Sequence, residues 1–210
     1  MNRRVMALVG LAVLAVVVGV GVYALLASGN RGSNVAGASC ALDDARQAKI
    51  AKASVGEVAA FQAADRAGSL SALSFVDGEG QPVSFSDFAG RTVLFNLWAT
   101  WCVPCRAEMP ALDELQAQLG GDDFQVVPVS VDLGSDEKPK AFYVETNLQH
   151  LPFYHDSAIK TLDVLKQAGI AFGLPATVIA DEKGCILGWL NGPAEWASDD
   201  ARALILAAKE

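Results

Sequence analysis

Two cysteines separated by two residues, in Trp101-Cys102-Val103-Pro104-Cys105, are the side chains of this 210-residue chain best suited to covalent chemistry. A thiol at the start of a helix faces unpaired backbone N–H groups and the positive end of the helix dipole. Both favour the thiolate, which is the nucleophile in disulfide exchange. Cys102 takes that position. Cys105, one turn further in, is placed to attack a mixed disulfide formed on Cys102. The competing use of two such thiols is a zinc site, which needs four ligands. Only Cys40, Cys185, His150 and His155 remain to supply two more, and none falls in a second paired motif. The pattern therefore predicts redox chemistry, with no metal site and no cofactor assigned.

The elements around the pair must place it at a strand-to-helix turn. Residues 93–98 form a near-continuous apolar run, the pattern of a central strand buried on both faces. A helix is predicted from Val103 to Leu119, ended by Gly120-Gly121, with Pro110 expected to kink it. Residues 124–131 form a second central strand, and helices are predicted over 136–147 and 157–168. Residues 151–154 read as a short strand or loop. Strands are expected at 71–76 and 81–85 around Asp77-Gly78-Glu79-Gly80, and at 176–180 and 185–190 around Asp181-Glu182-Lys183-Gly184. Residues 199–208 form a closing helix capped by Ser198. The apolar residues Ile50, Val55, Val58 and Phe61 predict one helix over 43–64, lying against the main domain. The alternation of strands and helices indicates an α/β fold, a mixed sheet with helices on both faces.

Charge and hydropathy divide the chain. The sequence carries 16 Lys and Arg, 24 Asp and Glu and a mean hydropathy of +0.30. The apolar excess lies in Val5–Ala27, which holds no charge. Without Arg3, Arg4 and Arg31 the remainder has 13 basic against 24 acidic residues, which argues against nucleic acid as a partner. As a helix, 23 residues span about 34 Å, enough for a bilayer core. Arg3-Arg4 then stays in the cytoplasm and the acidic body is exported. The expected layout is a cytoplasmic stub at 1–4, a transmembrane anchor at 5–27, a Gly/Ser-rich tether at 28–41, a helical extension at 42–69 and the main domain at 70–210. Cleavage near Ala27-Ser28-Gly29 and a lipoprotein site at Cys40 are the rival readings, and each exports the body. Disulfides are allowed outside the cytoplasm. Cys40 and Cys185 are then expected to form a structural disulfide, the alternatives being free thiols or an intermolecular bridge.

The run Phe95-Asn96-Leu97-Trp98-Ala99-Thr100-Trp101-Cys102-Val103-Pro104-Cys105-Arg106-Ala107-Glu108-Met109-Pro110 strongly resembles the active-site strand and helix of thioredoxin-like proteins. It is most similar to the membrane-anchored TlpA/ResA/CcmG branch, and the N-terminal region points to the TlpA type. Gly173-Leu174-Pro175-Ala176-Thr177-Val178-Ile179 resembles that family's cis-proline loop, and the insertion between Val131 and Asp156 matches the branch's extra helix and strand. The resemblance covers about residues 70–210. It implies a thioredoxin-like fold with a central β/α insertion, Cys102 as attacking thiolate, Cys105 as resolving thiol and Pro175 in cis beside them. Leu174 would offer backbone to a substrate strand, and Trp101 would contact the partner. Pro104 lends the thiolate no charge or donor, which fits a reducing potential of about −200 to −270 mV. One departure stands out: plain thioredoxins carry a buried Asp where this chain has Asn96. An amide cannot take the proton of the second thiol. Glu108, three residues after Cys105, reads as a solvated charge on the helix face, so the proton acceptor is left unassigned.

The implied activity is that of a thiol:disulfide oxidoreductase, tethered to the bacterial inner membrane with its catalytic domain in the periplasm. The implied substrates are protein disulfides, in apocytochrome c or in the copper-site assembly proteins of cytochrome oxidase. Ala176-Thr177 tilts the choice toward copper-site assembly. A membrane electron donor of DsbD/CcdA type would keep the pair reduced. The alternative is a copper chaperone with Cys102 and Cys105 as soft ligands. The family's copper carriers add a downstream His, for which only His150 and His155 are available.

Overall fold

The computed structural model describes residues 40–210. The anchor expected at 5–27, its stub and most of the tether lie outside them. Among the described residues no helix is long and apolar enough to cross a membrane.

An eight-stranded mixed sheet forms the centre, with strand order β1-β8-β7-β4-β5-β6-β2-β3. The strands are β1 (Gln62–Ala63), β2 (Ser74–Asp77), β3 (Pro82–Ser84), β4 (Thr92–Trp98), β5 (Phe124–Ser130), β6 (Tyr154–His155), β7 (Ala176–Ala180) and β8 (Ile186–Asn191). The helices are α1 (Asp44–Ala53), α2 (Val103–Leu119), α3 (Glu137–Thr146), α4 (Lys160–Gln167) and α5 (Asp199–Lys209). β4 runs parallel to β5 and antiparallel to β7, and every residue of β4 is buried. Its side chains are apolar almost throughout because helices or loops cover both faces. Phe75, Phe85, Phe88, Phe95 and Tyr154 pack ring against ring beneath β2 and β3.

The insertion between β5 and α4 supplies α3 and β6. β6 joins parallel β5 to antiparallel β2 and so extends the sheet on that side. α4 starts three residues later than the periodicity indicates. Ile159 lies in the left-handed region, and the Asp156 carboxylate accepts from the backbone and hydroxyl of Thr161, so residues 157–159 belong to the capping turn.

The single helix expected over 43–64 is three elements instead. Asp43 caps α1 by accepting from the N–H groups of Ala45 and Arg46. The helix ends at Ala53, where the Ser54 hydroxyl bonds back to the Ile50 carbonyl. Gly56 follows at φ +54°, and Asp200 accepts from the Glu57 N–H there. A side chain at Gly56 would meet that carboxylate. Val58 and Phe61 are buried, but from a 3₁₀ turn and its exit. The chain then pairs as β1 with the edge of β8, Gln62 opposite Trp189 and Ala63 opposite Gly188. Phe61 lies across Gly188, where only a glycine leaves room for the ring. An apolar spacing that suits one helix face thus serves a helix, a turn and an edge strand in succession. The described residues belong to one compact unit, so residues 42–69 pack as part of the main body.

Candidate active site

Cys102 is the N-cap of α2, at the end of the turn that follows β4. That turn is fixed from the neighbouring strand. Asp132, just past β5 and buried, accepts from the Thr100 backbone N–H at 2.9 Å and from the Thr100 hydroxyl, and the Ser130 hydroxyl donates to it at 2.8 Å. The Val131 N–H donates to the Trp98 carbonyl, and the Cys102 N–H to that of Ala99. With both ends of the turn bonded, the position of Cys102 follows from the sheet.

Cys102 and Cys105 are joined as a disulfide. The Cys105 N–H points at Cys102 Sγ, 3.3 Å away, so the helix N-terminus is aimed at the first sulfur. On reduction, the same donor and dipole stabilise a thiolate there. Cys102 is 6% exposed and Cys105 0%, so the outer sulfur alone is open to a partner. Trp101 and Val103 beside it are 66% and 74% exposed, large apolar side chains left in water next to the pair. Pro104 is exposed as well. The Leu174–Pro175 bond is cis, with Pro175 buried and Leu174 partly so. Pro175 enters β7 where Ala176 pairs with Leu97, which puts it at the same end of the sheet as the β4–α2 turn.

Glu108, expected as a solvated charge on the helix face, is buried instead. It is 3% exposed, one turn along α2 from Cys105. Its Oε1 accepts from Asn96 Nδ2 at 2.9 Å, and its Oε2 accepts from the Ala194 N–H and the Trp196 indole N–H, each at 3.2 Å. Burial pushes its carboxyl up from 4.5 to about 7, against the pull of those three donors. A carboxyl poised near neutrality has the proton affinity for general acid–base work, and this one sits one helical turn from Cys105. Asn96, in the position of the missing acid, donates its amide N–H to this carboxyl. The usable signal was the spacing: three residues after buried Cys105, a helix returns to the same face.

The remaining candidates lie apart from this constellation. Cys40 and Cys185 are joined as a disulfide spanning 145 positions, which ties the start of the described chain to the beginning of β8. His150 Nδ1 lies 2.9 Å from the Asp113 carboxylate and His155 Nε2 lies 2.8 Å from the Asp132 carbonyl. Among the described residues no group of three or more His, Cys, Asp or Glu is arranged to hold a metal ion.

Comparison with known proteins places this geometry in context. The Redoxin family model matches residues 57–205. The thioredoxin-like protein YneN of Bacillus subtilis is 36% identical over 108 residues, which cover 51% of this chain and 60% of that protein. The thiol-disulfide oxidoreductase ResA of Oceanobacillus iheyensis is 38% identical over 84 residues, covering 40% of this chain and 43% of that one. The chain thus spans less than two thirds of the length of these curated relatives. A Chlorobium tepidum structure described as a thiol:disulfide interchange protein DsbE superposes with a TM-score of 0.60 at 25% identity, covering 70% of this chain and 99% of that one. The thioredoxin domain of a Bacteroides vulgatus thiol-disulfide oxidoreductase gives a TM-score of 0.54, also at 25% identity, covering 70% and 100%.

Proposed function

The chain belongs to the Redoxin family, in its TlpA/ResA/CcmG branch, and from that premise we propose that it is a thiol:disulfide oxidoreductase that reduces protein disulfides. The observation that carries the reading is the asymmetry of the pair: an outer sulfur at a helix N-terminus, an inner sulfur fully buried, and a neutral-poised carboxyl one turn behind it.

In the reduced protein the Cys102 thiolate attacks one sulfur of a substrate disulfide. A Cys102–substrate bond forms and the substrate's other sulfur leaves as thiolate. Cys105 gives its proton to Glu108 and attacks Cys102 Sγ. The mixed disulfide breaks, the second substrate sulfur leaves, and the Cys102–Cys105 disulfide remains. Two electrons have passed to the substrate, and the proton on Glu108 returns to solvent or to a departing thiolate. Trp101 offers an apolar contact to the partner, and the backbone of Leu174 ahead of Pro175 offers it strand pairing.

The apolar stretch 5–27 supports a single N-terminal anchor in the inner membrane with the body in the periplasm. There the pair needs a dedicated source of electrons, a membrane reductant of DsbD/CcdA type. The substrates that fit are copper-site assembly proteins of cytochrome oxidase or apocytochrome c, whose thiols must be free before metal or haem is attached. The test is disulfide reduction, with insulin as substrate and dithiothreitol as donor. Cys102→Ser abolishes turnover, and Cys105→Ser accumulates a mixed disulfide on Cys102. Equal activity in the two variants would overturn the assigned roles.

A further inference from the structure

Asn96 holds one of the few buried polar atoms without a hydrogen-bond partner among the described residues, its Oδ1. Its Nδ2 is used twice, donating to Glu108 Oε1 at 2.9 Å and to Thr177 Oγ1 at 3.0 Å. This arrangement suits an ionised Glu108. It does not suit a protonated one. Glu108 Oε2 already accepts two N–H groups, from Ala194 and Trp196, so a proton must sit on Oε1. There it would confront Asn96 Nδ2, donor against donor, with both side chains buried.

Of the groups in this contact, only two can reverse their polarity. A backbone N–H and an indole N–H are donors always. An amide turned by 180° exchanges donor for acceptor in nearly the same outline, and a threonine hydroxyl donates or accepts as required. We propose that Asn96, followed by Thr177, is a positioning residue that reads the protonation of Glu108. Nδ2 faces the carboxylate, and the amide inverts so that Oδ1 accepts the proton of the carboxylic acid. In the inverted state Oδ1 accepts from Glu108 and from the Thr177 hydroxyl, and Nδ2 takes the place of the atom that now lacks a partner. Each state leaves one amide atom unpaired, and the charge-assisted bond from Nδ2 to the carboxylate is the stronger of the two contacts. The groups facing Glu108 leave this as the adjustable part. β4 presents Asn96, β7 presents Thr177, and the loop after β8 presents Ala194 and Trp196, none of which titrates. On α2 the titratable neighbours are Cys102 and Cys105, locked as a disulfide in the oxidised protein.

The experiment is NMR on the oxidised protein, following the Glu108 side-chain carboxyl carbon and the Asn96 side-chain amide through a pH titration. The expected result is a contact between the Asn96 amide protons and the Thr177 methyl above the Glu108 midpoint that is lost below it. Amide protons that keep this contact through the whole Glu108 titration would overturn the proposal. Asn96→Leu, which removes the donor to the ionised form, should raise the Glu108 midpoint by about one pH unit, a tenfold change in proton affinity. An unmoved midpoint in a folded Asn96→Leu variant would also overturn it. Only the catalytic consequence rests on Glu108 being the proton acceptor of Cys105. If the midpoint moves and the pH profile of Cys105-dependent resolution moves with it, both readings hold. If the midpoint moves alone, the amide reading stands and the acceptor role falls.

Discussion

Replacing Glu108 by Gln should change how stability depends on pH. The carboxyl titrates near 4.5 in an unfolded chain and near 7 in the fold, because burial disfavours its charge more than three neutral donors favour it. Between those values the folded protein holds a proton that the unfolded chain has released. Stability from this group is therefore fully present below about pH 4.5 and lost as pH rises through about 7. A shift of about 2.5 pH units corresponds to about 3 kcal/mol, a large part of the total stability of a domain this size. The glutamine side chain of the variant cannot titrate, and every other ionisable group is shared by the two proteins. The difference between their urea unfolding free energies thus isolates the one carboxyl. Measured on oxidised protein, wild type should lose about 3 kcal/mol relative to Glu108→Gln between roughly pH 4.5 and pH 8. A difference that stays constant across the window would show that Glu108 is ionised as readily in the fold as in the unfolded chain. The proton route through it would then fail.

Removing the Cys40–Cys185 bond with Cys40→Ala and Cys185→Ala should cost about 2–4 kcal/mol, since the bond closes a loop of 145 positions, with about 5 kcal/mol as the chain-entropy ceiling. For a folded body of about 170 residues this lowers the Tm by roughly 6–11 °C, while insulin reduction through Cys102 stays largely intact; an unchanged melting curve would sink the structural role. Expressed with its N-terminus, the protein should remain with membranes after a salt wash, and recovery of a soluble fragment starting near Asn30 would instead establish cleavage.

Much of this fold was legible because its signals are local. The strand at 93–98 is apolar except at Asn96, the helix at 103–119 is closed by two glycines, and each hairpin carries its turn residues between its two strands. What sequence could not deliver depends on partners far along the chain. The helix over 43–64 breaks where Gly56 meets Asp200 and where Phe61 finds room over Gly188, contacts that span more than a hundred residues. Glu108 fails for the same reason. Its spacing from Cys105 is visible, but its burial depends on Trp196 and Ala194 closing over it from beyond β8. Asn96 signalled the missing acid, but not that a buried carboxyl on the adjacent helix accepts from its amide.

The bond between Cys40 and Cys185 also decides how the body bears a mechanical load. A pull transmitted along the chain from residue 39 reaches the fold at Cys40, and the covalent link passes it directly to the start of β8. α1 and the two-residue strand β1, which would otherwise be the first elements to peel from the edge, are bypassed. β8 is held along its length by β7, and β7 by β4, so the force is spread over successive ladders of hydrogen bonds. Cys185 lies past the Ala180 end of β7, whereas Pro175 and the Cys102 turn lie at the Ala176 end. Tension therefore enters at the end of the sheet away from the reactive sulfurs, and a body held by its N-terminus can be tugged without disturbing the alignment of Cys102.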